Sequence, residues 1–256
     1  MKYSIKVNEV KNGSENVRGI ASVTLGDSFK LGNITIVNDP REQGKVFVSM
    51  PSYKDGQGEF KDICHPTTKE FHDELYGNIL SAFHELTENV AKNSYTVEYN
   101  KNDKKMPDFN VRVTPYEREG SSIRGMASIN FSGMAVNNVT IHENKDGQMF
   151  VSMPSYKTNQ VNEQGKPVYK DVCHPVTAKF RDKLYGAILQ EYENVMLKKV
   201  VDRVGDELKL SESEKDSVLG KLDKNKEAVE QKEKAAGAKE QSKGKVHEQH
   251  SREDAR

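Results

Sequence analysis

The heptapeptide Val48-Ser49-Met50-Pro51-Ser52-Tyr53-Lys54 returns unchanged as Val151-Ser152-Met153-Pro154-Ser155-Tyr156-Lys157. Such a run does not recur by chance in a chain of 256 residues, so any fold open to the first copy must also be open to the second. The correspondence extends both ways. Arg18-Gly19-Ile20-Ala21-Ser22 returns as Arg124-Gly125-Met126-Ala127-Ser128, Ile63-Cys64-His65-Pro66 as Val172-Cys173-His174-Pro175, and Leu75-Tyr76-Gly77 as Leu184-Tyr185-Gly186. The chain is one module written twice. Each copy has roughly 90 residues, a size at which a single core is modest.

Within the first copy the apolar residues alternate, as a half-buried strand requires. Tyr3, Ile5 and Val7 share one face of a first strand, and Val17, Gly19, Ala21, Val23 and Leu25 share one face of a second. Phe29 to Val37 forms a third, which Gly32-Asn33 bends or bulges. Lys45 to Met50 forms a fourth, ended by Pro51, and Glu59 to Cys64 returns as a short extended segment. After His65-Pro66 the period changes to about 3.6: Phe71, Leu75, Ile79, Phe83 and Leu86 make a helical stripe. Thr67-Thr68-Lys69-Glu70 fits a capping box at its start, and His65-Pro66 is expected to orient the strand-to-helix corner. The predicted fold is α+β: two tandem modules, each an antiparallel β-sheet meander covered on one face by a C-terminal α-helix.

The second copy repeats the pattern, with Phe109, Val111 and Val113 opening it and Phe180, Leu184, Ile188, Tyr192 and Val195 on its helix. Its loop after Tyr156 is the longer one, and insertions confined to loops are expected of two copies of one fold. The boundaries expected are 1–90 for module 1, 91–107 for a linker, 108–199 for module 2 and 200–256 for a charged C-terminal tail. Tyr95, Val97 and Tyr99 alternate and suit a short added strand at the linker. In the tail, Val200, Val201, Val204 and Leu208 extend the second helix, and Ser211-Glu212-Ser213-Glu214 fits another capping box. Beyond Ala228 the chain is mostly Lys, Glu, Gln, Ala and Gly, a largely disordered or helical composition that buries too little to offset ordering entropy.

Net charge is +0, but residues 1–90 carry an acidic excess and residues 111–199 a basic one. A uniform basic footprint for nucleic acid is absent, so any such surface is local. Two cysteines at matching positions are no disulfide framework and point to a reducing compartment. No apolar run is long enough for export or for a membrane span, which gives the expectation of a cytoplasmic chain with no membrane partner.

With these residues in view, the modules resemble the SpoVG family, the stage V sporulation proteins G, described as septation regulators. Three segments carry the resemblance in the first copy: Ile20 to Leu25, Phe47 to Ser52, and Phe60 to Pro66 followed by the helix. The second copy repeats them as Met126 to Phe131, Phe150 to Ser155 and Tyr169 to Pro175. The resemblance implies an antiparallel sheet with a C-terminal helix, a dimeric assembly, DNA or RNA binding in a regulatory role and no catalysis. Family members usually hold one module per chain. Two in tandem suggest self-association between the modules as an intrachain pseudo-dimer, with a homodimer as the other arrangement. The family's basic pair after Met-Pro-Ser is reduced here to Lys54 or Lys157, beside Tyr53 or Tyr156. Basic positions in the family's first helical turns align with Arg181 and Lys183, but in the first copy with His72 and Glu74.

The candidates for phosphate contact are Lys54, Lys61, Lys157, Lys170, Lys179, Arg181 and Lys183, with Tyr53 and Tyr156 as stacking surfaces for an unpaired base. For any one of them alone, a solvated charge or half-buried tyrosine is the simpler account. Cys64-His65 and Cys173-His174 invite a zinc or thiol interpretation. Strand neighbours point to opposite faces, so a Cys and its adjacent His do not converge on one ion, and a free Cys usually packs as a small apolar residue. No catalytic group, metal, cofactor or small-molecule substrate is expected. The leading function is a non-enzymatic DNA- or RNA-binding regulator. The alternative is a protein-interaction adaptor using exposed sheet edges.

Overall fold

A computed structural model describes residues 1–11, 16–88, 92–103 and 106–224. The chain forms two compact units, Met1–Glu193 and Asn194–Arg256. The tail beyond Ala228 lies outside the described residues.

In the first unit β1 (Tyr3–Glu9), β2 (Val17–Leu25) and β3 (Phe29–Asn38) form an antiparallel meander, and β4 (Val46–Ser49) pairs with the far half of β3. A two-stranded ribbon follows, β5 (Ser52–Lys54) with β6 (Phe60–Asp62). Next come β7 (Cys64–Pro66) and helix α1 (Lys69–Glu88). The helix presents Leu75, Ile79, Phe83 and Leu86 to the sheet, all buried as the stripe requires. Tyr95, Val97 and Tyr99 do make an added strand, β8 (Ser94–Tyr99), which pairs with β1 along the sheet edge.

The second copy gives β9 (Asn110–Pro115), β10 (Ile123–Phe131), β11 (Met134–Glu143) and β12 (Met149–Ser152) in one sheet. A longer ribbon follows, β13 (Ser155–Val161) with β14 (Pro167–Asp171), then β15 (Cys173–Pro175) and α2 (Ala178–Glu207). Phe180, Leu184 and Ile188 are fully buried.

The capping register differs from the expected one by a residue. Thr68 Oγ1, not Thr67, accepts the Phe71 N–H at 3.2 Å, and Thr177 does the same for Phe180. Side-chain oxygens at the N-cap satisfy the N3 amide in this way. His65-Pro66 and His174-Pro175 also differ from expectation. They are strand residues, not corner caps.

Their strands cross over. β7 of the first copy pairs with β11 of the second, Cys64 opposite Val136 and Pro66 opposite Met134. In return β15 pairs with β3, Cys173 opposite Leu31 and Pro175 opposite Phe29. Each long strand therefore offers one edge to two short partners: β3 takes β15 on Phe29–Leu31 and β4 on Thr35–Asn38. The changeover falls at Gly32-Asn33, where Asn33 has φ 56° and the β2–β3 register shifts. Asn138, at φ 61°, is its counterpart in β11. Asn tolerates this left-handed region better than most side chains. At each bulge the freed amide bonds across the exchange, Gly32 N–H to Val172 O and Asn137 N–H to Ile63 O, both at 2.7 Å.

The exchange merges the cores. Phe29 of the first copy packs against Phe131 of the second, with ring centroids 4.6 Å apart, and Phe180 and Phe109 complete the cluster. Rings at these separations add to the area they bury.

The second unit holds the end of α2 and a further helical run over residues 212–224. Half of the expected capping box forms there: Ser211 N–H donates to Glu214 Oε2 at 2.8 Å, but Ser211 Oγ also donates to that oxygen, at 2.7 Å, and the Glu214 N–H goes to Ser211 O. Lys215 lies against Gly205 and donates to Asp206 and Glu212, at 2.6 and 3.0 Å. Among the described residues, no helix is long and apolar enough to cross a membrane.

Candidate nucleic-acid interface

The two ribbons carry most of the candidate residues because the repeated Tyr-Lys follows the Pro that ends each fourth strand. Tyr53 lies opposite Lys61 and Lys54 opposite Phe60. In the second copy Tyr156 lies opposite Lys170 and Lys157 opposite Tyr169. Directly opposed residues on an antiparallel pair are close enough to act together, so the first ribbon unites one lysine with a tyrosine and one with a phenylalanine, and the second unites two lysines with two tyrosines. Phe60 and Tyr169 are largely exposed, two outward aromatic rings that the sequence did not single out.

The ribbons differ in electrostatics. In the first, Lys61 Nζ bonds Asp55 at 2.8 Å. That hydrogen bond holds the Asp55 carboxyl below the usual carboxylate range and the Lys61 ammonium above its ordinary value. Asp55 Oδ1 also accepts from the Gln57 and Glu59 amides, which fixes the turn. Lys54 Nζ stands 5.0 Å from the centre of the Phe60 ring. In the second ribbon the Asp55 position is Thr158, whose hydroxyl donates to Val168 O, and the turn is built on Asn162 instead. Among the described residues, Lys170 has no ion-pair partner.

Lys179, Arg181 and Lys183 lie in the first two turns of α2, and all three are exposed. Lys183 Nζ sits 5.5 Å from the Phe109 ring centre, a cation–π contact. At the matching place in the first copy, Tyr3 Oη donates to Glu74 at 2.7 Å and accepts from Asn78 Nδ2 at 2.8 Å. The two positions have changed together: Tyr with Glu in one copy, Phe with Lys in the other.

Cys64 and Cys173 are free and fully buried. Burial pushes the Cys64 thiol up to about 12 and raises that of Cys173 further. A nucleophile needs the opposite environment, so both pack as small apolar residues in the exchanged strands. Among the described residues, no three His, Cys, Asp or Glu side chains are grouped to hold a metal ion.

These features define a class: a duplicated sheet-and-helix module whose two copies complete each other's sheets. A SpoVG family model matches residues 1–85 and again residues 106–194. The chain belongs to the SpoVG family, whose members are non-catalytic. It is 35% identical over 92 residues to a SpoVG protein of Phytoplasma australiense, covering 34% of this chain and 93% of the relative. The SpoVG protein of Bacillus pumilus is 32% identical over 88 residues, covering 34% and 83%. That of Clostridium botulinum is 36% identical over 67 residues, covering 26% and 70%. Each alignment takes up most of the relative but a third or so of this chain, so these relatives have room for one module where this chain has two.

Proposed function

We propose that the protein is a non-enzymatic DNA- or RNA-binding regulator of the SpoVG type. In this account it acts in septation, sporulation or gene expression as an intrachain pseudo-dimer. Septation enters through the names of the relatives. The observation that carries the assembly is the reciprocal exchange of β7 and β15, because each module takes a strand from the other. Two single-module chains would make the same exchange as a homodimer, an isologous contact.

Binding would rest mainly on lysine and arginine contacts to phosphate, so affinity should fall steeply with salt. The second copy would contribute more. Its α2 turns carry Lys179, Arg181 and Lys183, and Lys170 of its ribbon has no ion-pair partner among the described residues. The test is a gel-shift titration against salt with the full chain. The triple change Lys179→Glu, Arg181→Glu, Lys183→Glu should weaken binding at least tenfold, and charge changes at His72 and Glu74 should do little. Equal losses from both copies, or no shift at low salt, would overturn the respective claim.

One observation favours the adaptor reading. β1 has its outer edge covered by β8, whereas β9 pairs only with β10 among the described strands. An open edge can accept a partner's strand. That reading would gain if the chain bound no nucleic acid at low salt yet captured an extended peptide in a manner lost with Val111→Pro, which removes a ladder donor.

A further inference from the structure

We infer that the chain holds one binding groove for an unpaired nucleic-acid strand, formed where the second copy's ribbon stands over the outer face of the first copy's sheet. The corresponding place in the other half is unfit for the task. This inference rests on the proposed nucleic-acid function and assigns it a site.

The groove exists because of the exchange. β15 lays His174 directly opposite Lys30 of β3, and β14 brings Lys170 and Asp171 to the same place, with Tyr156 across the ribbon from Lys170. Lys30, Asn33, Tyr156, Lys170, Asp171 and His174 line a cavity of about 240 Å³. Two ammonium groups and one carboxylate leave an excess positive charge there. Tyr156 is 37% exposed, so part of its ring is available for stacking.

The size limits the occupant. Pockets for free small ligands typically run from roughly 300 Å³ upward. A smaller, cationic groove beside an exposed aromatic ring suits one unit of a longer anionic chain. Stacking on Tyr156 requires a base that is not already paired within a duplex. Lys30, Lys170 and His174 supply donors for the flanking phosphates, and Asn33, at the bulge, supplies a neutral donor and acceptor.

The other half lacks this chemistry at two positions. Ala135 stands opposite His65 where Lys30 stands opposite His174. Lys61, the counterpart of Lys170, is held by Asp55, and Asp62 occupies the Asp171 place opposite Ser52. One lysine against two carboxylates gives that face the reverse sign. Identical Tyr-Lys sequences thus sit in sites of opposite charge.

The test is fluorescence anisotropy of the full chain with a labelled twelve-nucleotide oligothymidylate, its oligouridylate equivalent and a twelve-base-pair duplex, all at low salt. Lys30→Ala with Lys170→Ala should weaken both single strands at least tenfold. Tyr156→Ala should weaken them by roughly tenfold, with duplex binding changed less than threefold. Tyr53→Ala and Lys61→Ala should change single-strand binding less than twofold. The paired changes Ala135→Lys and Asp55→Thr should strengthen it, a gain that misfolding cannot mimic. If single strands bind but ignore the groove changes and respond only to Lys179, Arg181 and Lys183, the groove is wrong while nucleic-acid binding stands. If neither single strand nor duplex binds the unaltered chain, the functional proposal itself fails.

Discussion

The two halves of the first unit share a fold but differ in chemistry at matched positions. In the joint core, Phe29, Phe109, Phe131 and Phe180 pack ring to ring. Their counterparts in the other copy are Met134, Tyr3, Leu25 and Phe71, of which Met134 and Leu25 stand directly across the hairpins from Phe131 and Phe29. Tyr3 has polar partners in Glu74 and Asn78, whereas Phe109 accepts the Lys183 ammonium on its face. The exchanged backbone bonds are duplicated almost bond for bond: Thr67 N–H to Gly133 O mirrors Val176 N–H to Ser28 O, both at 2.8 Å. Backbone geometry is thus the constant part of the module. The side chains that meet solvent or fill the seam are the variable part.

The largest difference between the halves should appear at the seam. Phe29→Ala removes a fully buried ring that touches both copies and should cost about 3–5 kcal/mol. Met134→Ala should cost less, about 2–4 kcal/mol, because a thioether fills its site with fewer fixed contacts. Urea unfolding at equilibrium measures both, and a larger loss from Met134→Ala would reverse the ranking.

The matched glycines come next. A Cβ on Gly19 would stand 2.8 Å from the Phe83 ring and 3.2 Å from the Asn8 carbonyl oxygen, which cannot rotate away. On Gly125 the nearest atoms belong to the Tyr192 and Ile141 side chains, at 3.1 and 3.2 Å, and both can yield. Gly19→Ala should cost about 1–3 kcal/mol and Gly125→Ala measurably less, as judged by thermal midpoints.

A smaller effect is expected at Tyr3. Tyr3→Phe removes two hydrogen bonds to side chains that water can still reach, a loss of about 0.5–1.5 kcal/mol. Adding Glu74→Lys recreates the Phe109–Lys183 pairing and should return part of that loss. A double mutant no better than the single would show that the second copy's arrangement does not transfer.

The thiols should distinguish the halves least. Both are raised by burial, so the neutral form is favoured in the folded chain. Their contribution is therefore complete below the unfolded value of about 8.5 and is lost as pH climbs toward the folded value, about 12 for Cys64. Neither should react with a thiol reagent in the native chain at pH 8, and both should react in urea. Replacing both by Ala should flatten the decline in stability above pH 9.

The repeat, the antiparallel meander of the long strands, the helical stripes and the added strand at Ser94–Tyr99 were legible because each is a local period or a direct copy. Even the bulge at Gly32-Asn33 announced itself through residues that tolerate left-handed backbone. The cap at Thr68 was displaced by one position because adjacent threonines offer equivalent hydroxyls and only helix geometry selects between them. The role of His65-Pro66 and His174-Pro175 was not legible, since a three-residue strand carries no period and its partner lies in the other copy. Lys30 escaped notice for the same reason: in its own module it is an ordinary outward lysine.

The sequence by itself determined that one small sheet-and-helix unit was built twice, because periodic burial and turn chemistry act over a few residues. Tertiary structure decided which copy completes which sheet, and therefore which side chains meet across the seam. A short strand's pairing energy depends on the edge available to it, and that edge exists only after the long strands have assembled. The same assembly set the charges apart, leaving Lys170 beside Lys30 and His174 while its twin Lys61 is bound to Asp55.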